Sequence, residues 1–261
     1  MNCALIISVY KDVAALKAVL NSVLVQSWKA FDVIISQDGD SDCFDELLKS
    51  YEGKLHIQHF QQEDNGFLKN QLLNKVLRTT DAEKLVFIDG DCLLHPRFME
   101  NYNKSIQAGR ICMGRRVDLD ATTTQLIKSE QQAYPGFGQM IKNKTKRVEE
   151  AFYLPFLGQS FLKTPKCLGC NMGWSKSDLV ALNGFDEDYT YPGYGEDSDI
   201  EFRGKRAGLA VFSMRYKSIQ FHLDHARPNR ENEVSNSQVL FEERKKREDV
   251  RCKNGLDKLA N

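Results

Sequence analysis

Four short apolar runs rich in branched and aromatic residues, Leu5 to Val9, Phe31 to Ile35, Leu55 to Ile57 and Leu85 to Ile88, alternate with segments whose apolar residues fall at helical spacing. Val13, Leu16, Leu20, Val23 and Leu24 share one helical face, Phe44, Leu47, Leu48 and Tyr51 a second, and Phe67, Leu68, Leu72, Leu73, Val76 and Leu77 a third. Strand and helix in alternation predict parallel strands joined by crossover helices, the α/β class. In open sheets of that class ligands gather outside the carboxyl ends of the strands, and Tyr10, Asp38 and Asp89 all lie at such ends.

With 261 residues and 41% hydrophobic content the chain can bury the core of one enzyme-sized unit. The periodicity weakens from about residue 115, where Pro135, Gly136, Gly138 and the basic run Lys142, Lys144, Lys146, Arg147 interrupt it, and returns near Gly169. We therefore expect one continuous domain with an α/β half over residues 1–114, a mobile or helical insertion over 115–168 and a second half over 169–261 that closes with a charged helix. Lys plus Arg and Asp plus Glu both total 36, so no global field draws the protein to nucleic acid. The opening MNCALIISVYKD reads as a buried strand rather than a leader, and no stretch approaches the roughly 18 apolar residues of a membrane helix, so a cytoplasmic location is expected. The odd total of 7 cysteines favours reduced thiols.

The sharpest chemical signal is Asp89-Gly90-Asp91 at the end of a wholly apolar strand, because two carboxylates two residues apart can hold a hard divalent cation. Asp-Gly between apolar segments is equally a hairpin turn signal. A second acidic cluster, Glu196-Asp197-Ser198-Asp199, follows Gly193-Tyr194-Gly195; acids there can cap a helix, and one can serve as a general base. A third element, Phe221-His222-Leu223-Asp224-His225, carries two histidines, either of which is structural or could complete a mixed nitrogen and oxygen site for a manganese-like ion begun by Asp91. Cys167 and Cys170 with those histidines offer a rival account, a structural zinc site, although the histidine pair is spaced too tightly for the usual pattern.

Taken together, IISVYKD, SQDGDSD, QEDNGF with Asn74 eight residues after Gly66, FIDGDCLLHPRF, GCNMGWSKSDLVALNGFDEDY, GYGEDSDIEFR, FHLDH and RCKNGLDKL make the chain resemble, nearly end to end, bacterial family 2 glycosyltransferases with a galactosyltransferase-like C-terminal part. Chondroitin polymerase domains and lipopolysaccharide or capsule sugar transferases are of this kind. The resemblance implies a GT-A fold, a Rossmann-like mixed sheet flanked by helices, and inverting transfer from a nucleotide sugar, best a UDP-sugar, to a glycan or lipid-linked glycan acceptor in surface polysaccharide synthesis. It implies that Val9, Tyr10, Asp12, Asp38, Asn74, Asp89 and Gly90 bind the nucleotide sugar, and that Asp91 with His222 and Asp89 holds Mn2+ or Mg2+, His225 being the lesser choice. Asp197 would be the catalytic base beside Glu196, and Asn171, Trp174 and Asp186 would shape the sugar pocket. The chain departs from the family at Gln37, where an acid is usual, at Leu68 and Leu73, where arginines are frequent, and in GYGED, which lacks a residue between the second glycine and the acids. A non-catalytic nucleotide-sugar or glycan-binding module is the rival function. The basic run at 142–147 and a second at Arg244 to Arg247 suit peripheral contact with an anionic membrane face, although solvated charge is the commoner origin of such runs.

Overall fold

The structure, a computed structural model, describes residues 2–162, 164–193, 195–226, 231–247 and 249–258; Met1, Tyr194 and Leu259, quoted in the segments above, lie outside them. The first half runs β1 (Cys3–Val9), α1 (Val13–Leu24), β2 (Asp32–Asp38), α2 (Asp45–Lys49), β3 (Ile57–Gln62), α3 (Lys69–Thr79), β4 (Lys84–Asp89), β5 (Cys92–Leu94), α4 (Phe98–Ser105) and β6 (Arg110–Met113). It continues with β7 (Val117–Asp118), α5 (Ala121–Lys128), α6 (Phe137–Lys142), β8 (Met172–Ser175), α7 (Lys176–Ala181), α8 (Glu196–Arg206), β9 (Ala210–Ser213), β10 (Gln220–His222) and α9 (Glu231–Lys246).

The main sheet has seven strands in the order β3-β2-β1-β4-β8-β6-β9. Strands β3, β2, β1 and β4 are mutually parallel, β8 is antiparallel to both neighbours, and β9 runs parallel to β6. The alternation along β1 divides its side chains between two cores. Leu5 and Ile7 pack with Leu16, Leu20 and Val23 of α1 on one face, and Ala4 and Ile6 pack with Leu73, Val76 and Leu77 of α3 on the other. A strand covered on both faces has no solvent side, which is why β1, β2 and β4 read as continuous apolar runs. The third strand differs from its sequence expectation: β3 starts at Ile57 and continues as Gln58, His59, Phe60, Gln61 and Gln62, because it is the half-covered edge of the sheet and tolerates polar side chains.

Residues 115–168 contribute β7, α5 and α6, and β6 from before them pairs with β8 from after them, so the main sheet spans the two flanking segments. A second sheet, β5-β10-β7, also collects its strands from three distant stretches. Leu93, Val117, Phe221 and Leu223 give it a core shared with Ala15, Ala18 and Ile127. The Asp89-Gly90-Asp91 turn therefore does not close a hairpin; it passes the chain from the main sheet to the second one. Among the described residues no helix is long and apolar enough to cross a membrane.

Candidate functional site

The site is built where the two sheets meet. Gly90 N donates to Ser8 O at 2.8 Å, and a Cβ at position 90 would lie 2.6 Å from Val9 Cγ1, so only glycine lets the turn close against the end of β1. In the second sheet His222 is in register with Cys92 on one side and Asp118 on the other, and Leu223 N donates to Asp91 O at 2.9 Å. That pairing sets the imidazole beside the carboxylate that follows the turn. His222 Nε2 and His225 Nε2 each lie 3.4 Å from Asp91 Oδ2.

One ligand atom from each of Asp91, His222 and His225 can be chosen so that all lie within 4.8 Å of one another. The 3.4 Å separations match the ~3.0–3.5 Å that ligands held ~2.1–2.2 Å from one ion keep between themselves. One carboxylate and two imidazoles form a mixed oxygen and nitrogen set suited to manganese-like ions. Asp118 Oδ1 stands 3.7 Å from His222 Nδ1, on the far side of the ring, where a carboxylate directs Nε2 toward Asp91. Burial alone would push the Asp91 carboxyl up, but the His222 imidazole, the Cys92 thiol and His225 outweigh it and hold the group at about 2. The carboxylate is thus ionised across the physiological range.

Asp89 takes another part. Its Oδ1 accepts from Lys69 Nζ at 2.8 Å, and it is not among the residues whose ligand atoms cluster with Asp91. Lys69, in the first turn of α3, is a site residue that sequence reading missed: a lone lysine opening a helix carries no signal. Burial opposes its charge, yet Asp89 and then Glu196 keep the ammonium above the ordinary lysine range.

Lys69 also reaches the second acidic cluster. A side-chain atom on Gly169 would lie 3.7 Å from both Lys69 Nζ and Asp197 Cβ. Gly195 precedes α8 with φ of +99°, and a Cβ there would meet Tyr189 Cε1 at 2.5 Å, so a glycine conformation starts the helix with Glu196 and Asp197 in its first turn. Asp197 Oδ2 accepts from Gly169 N at 3.1 Å, and Ser198 Oγ lies 3.3 Å from Oδ1. Burial, and after it the charge of Asp197, pushes the Glu196 carboxyl up to about 7, with Lys69 opposing. Burial likewise raises the Asp197 carboxyl against the Gly169 N–H. Glu196 Oε2 is buried with no hydrogen-bond partner among the described residues.

The remaining expected residues divide. Asp38, at the end of β2, accepts from Gln62 Nε2 at 2.7 Å and Leu68 N at 2.9 Å, which ties the loop before α3 to the sheet end. Val9 is buried under Gly90, and Tyr10, 51% exposed, is tethered to Asp64 through its hydroxyl at 3.1 Å. Gln37 bonds Ser41 O and His59. Asp12 caps α1 through Ala15 N at 2.9 Å and pairs with Lys128, so its carboxylate has a structural use. Asn74 is fully buried, bonded to Phe185 O, Phe185 N and Glu187, and offers no free amide to a nucleotide. Trp174 belongs to the core with Ile111 and Ile200 rather than to a pocket. Asp186 is buried against Arg244 at 2.8 Å and holds α9 to the body. Asn171 receives Tyr102 Oη at 2.6 Å and donates to Arg115 O, a strap between β6 and β8. The zinc alternative fails on placement: Cys167 Sγ packs on Met172 Sδ at 3.5 Å, Cys170 Sγ accepts from Arg116, and neither joins the histidines in a ligand cluster.

Comparison with known proteins shows the family and the fold. Residues 4–162 match the family model described as glycosyl transferase family 2, and residues 160–226 match the N-terminal domain of galactosyltransferase. Chondroitin synthase of Escherichia coli is 22% identical over 220 residues, covering 78% of this chain and 32% of that protein. Validoxylamine A glucosyltransferase of Streptomyces hygroscopicus subsp. jinggangensis is 24% identical over 243 residues, covering 88% and 57%. The chain thus spans between a third and somewhat over half of the length of these relatives. Among solved structures, S. aureus TarS 1–349 in complex with UDP-GlcNAc superposes with TM-score 0.60 at 13% identity, covering 94% of this chain and 66% of that one. Mannosyltransferase PcManGT from Pyrobaculum calidifontis, in complex with GDP-Man and Mn2+, gives 0.59 at 14% identity over 87% and 58%. At such identities the likeness is one of fold.

Proposed function

Because the chain belongs to glycosyl transferase family 2 and has the GT-A fold, we propose that it is an inverting glycosyltransferase that moves a sugar from a nucleotide sugar, in the first instance a UDP-sugar, to a glycan acceptor in bacterial surface polysaccharide synthesis. The observation that carries this reading is the convergence of the ends of β4 and β10 with the start of α8. An ion-binding group, Asp91 with His222 and His225, and a raised carboxylate pair, Glu196 with Asp197, flank the one Lys69–Asp89 contact. A binding module has no need of a carboxyl held near neutrality.

In the reaction, a hydroxyl oxygen of the acceptor attacks the anomeric carbon as the bond from that carbon to the diphosphate breaks. Asp197 takes the hydroxyl proton and the nucleoside diphosphate leaves. One in-line displacement inverts the centre, and no carboxylate nucleophile is required, unlike in a retaining glycosidase. Asp91, His222 and His225 would hold a divalent ion, Mn2+ or Mg2+, which supplies positive charge to the departing diphosphate when bound. Lys69 adds a fixed cation on the same side, and Asp38 orders the loop before α3. A lipid-linked acceptor and a peripheral position on the inner membrane face fit the exposed Phe137, Ile141 and Phe152 beside Lys142 and Lys144. Of the basic residues first considered for that contact, Arg147 pairs with Asp118 and Arg244 with Asp186 and Asp188.

The test is a panel of UDP-sugars with manganese, scored for donor hydrolysis and thermal stabilisation of the protein. We expect one donor to respond in both readouts and only with metal present. No response to UDP-sugars or to other nucleotide sugars would leave the non-catalytic module as the better description.

The pH dependence is a second check. Below about pH 7 Glu196 carries a proton; above it an added negative charge opposes the donor diphosphate. We expect kcat/KM for the donor to fall as pH rises through that point in the wild type, and the inflection to vanish in Glu196→Gln. An unchanged inflection in the variant would assign it to another group.

A further inference from the structure

The chain segment after β6 carries Arg115 and Arg116, and the two have opposite fates. Arg116 Nε donates to Asp118 Oδ1 at 3.0 Å and its NH1 to Cys170 Sγ at 3.3 Å. Arg115 is half-buried, and its guanidinium has no hydrogen-bond or ion-pair partner among the described residues. Asp118 and Glu150 are already used, and Glu149 is exposed. Asp118 serves Arg116, Arg147 at 2.8 Å and the His222 ring, and Glu150 receives both Nε and NH2 of Arg215, at 3.1 and 2.5 Å. The count of Arg115, Arg116, Arg147 and Arg215 against Asp118, Glu149 and Glu150 leaves this corner one charge positive. Burial, and then the field of Arg147, push Arg115 below the ordinary arginine range, with Arg215 adding to this and Glu150 opposing.

A half-buried guanidinium beside other cations, with no carboxylate of its own, is free to pair with an incoming anion. The Arg115 backbone is held in place. Asn171 Nδ2 donates to Arg115 O at 2.5 Å, Asn171 O accepts from Gly114 N at 2.9 Å, and the same amide reaches Ser218 O at 3.4 Å, next to the turn that carries Arg215. The sheet order then says which ligand meets it. Asp38 ends β2, two strands from β4 on one side, and Arg115 follows β6, two strands from β4 on the other. At ~4.8 Å per strand spacing, each lies ~10 Å across the sheet from the turn that bears Asp91. A nucleotide lying toward Asp38 leaves the Arg115 side to the acceptor.

We infer that Arg115, positioned by Asn171 and flanked by Arg147 and Arg215, receives an acidic group, a carboxylate or a phosphate, on the acceptor glycan. The inference rests on the transferase reading and assigns an acceptor class to that site. Asn171 is a positioning residue in this scheme, acting through the Arg115 backbone.

The experiment uses the full chain with its responding donor and manganese. The acceptors are a uronate-terminated oligosaccharide and its carboxyl-reduced form, and a phosphate-bearing glycan and its dephosphorylated form. Calorimetric binding of the same four is measured without donor. We expect the wild type to favour one acidic acceptor over its neutral form, which identifies the acid as carboxylate or phosphate. Arg115→Ala should raise the KM and Kd for that acceptor by about 10- to 100-fold, with the neutral acceptor and donor KM within about twofold, and Arg115→Lys should recover part of the loss. Equal use of acidic and neutral acceptors by the wild type, or an equal loss on both in Arg115→Ala, would overturn the inference. A rise in donor KM instead would assign Arg115 to the diphosphate and overturn it as well. Thermal unfolding of both variants separates loss of fold from loss of contact. Failure of every donor with Arg115-dependent binding of the acid intact would sink the transferase reading and not the anion site.

Discussion

Replacing Asp197 with asparagine is expected to lower sugar transfer by about 10²- to 10⁴-fold, the range that a positioned general base supplies, while donor affinity stays close to wild type. The substitution is suited to the question because asparagine keeps the side-chain oxygen that accepts from Gly169 N, so the start of α8 should remain folded. What disappears is the capacity to take a proton. Single-turnover measurement of product formation, paired with calorimetric donor binding, reads the two effects separately. Transfer at the wild-type rate would remove Asp197 from the mechanism and point to Glu196, whose second oxygen is buried beside Lys69 with no partner among the described residues. Loss of transfer with donor binding retained would dispose of the non-catalytic module.

The second large effect is expected from Asp91→Ala. Its carboxylate lies 3.4 Å from both imidazole nitrogens, and removing it leaves two neutral ligands, too few to retain a hard divalent ion at micromolar levels. Manganese-dependent thermal stabilisation, about 2.7 kcal/mol when free ion is a hundredfold above its Kd, should vanish, and donor turnover with it. The backbone of the junction is preserved, since the bond from Leu223 N to Asp91 O involves no side chain. The metal-free variant loses the carboxylate's contacts with His222, His225 and the Cys92 thiol, so it should unfold below the metal-free wild type but stay folded. Equilibrium dialysis with manganese checks the first statement and calorimetry the second. A manganese response of undiminished size in the variant would show that the ion binds elsewhere.

Several residues that the resemblance assigns to the site also have a structural use. The resemblance assigns Asn74 to the nucleotide sugar and Asn171 and Asp186 to the sugar pocket. The structure uses each to satisfy buried backbone or to anchor another element: Asn74 fastens α3 to the Phe185 loop, Asn171 ties β6 to β8, and Asp186 holds Arg244 of α9. A buried amide that meets all its partners inside the protein has none to spare for a ligand. Trp174 packs in the core, and an aromatic residue serves a core and a sugar pocket equally well on sequence. Lys69 and Asp118 were missed because neither stands in a pattern. One opens a helix, and the other ends a two-residue strand whose partner is about 100 positions away.

What the sequence by itself determined is the layering: strands covered on both faces must be apolar throughout, and the intervening helices must show one apolar stripe, so β1, α1, β2, α3 and β4 were legible from spacing alone. It also determined that acids stand at the end of β4 and in the first turn of α8, where sheet ends and helix starts are exposed to ligands. Only the tertiary structure decided which of those acids meet. The second sheet, assembled from strands of two and three residues too short to carry any periodicity, joins His222 and His225 to Asp91, turns Asp89 toward Lys69, and leaves Arg115 without a carboxylate. Long-range register, not local pattern, sets those distances, and a carboxylate or guanidinium acquires its role from the charge it finds beside it.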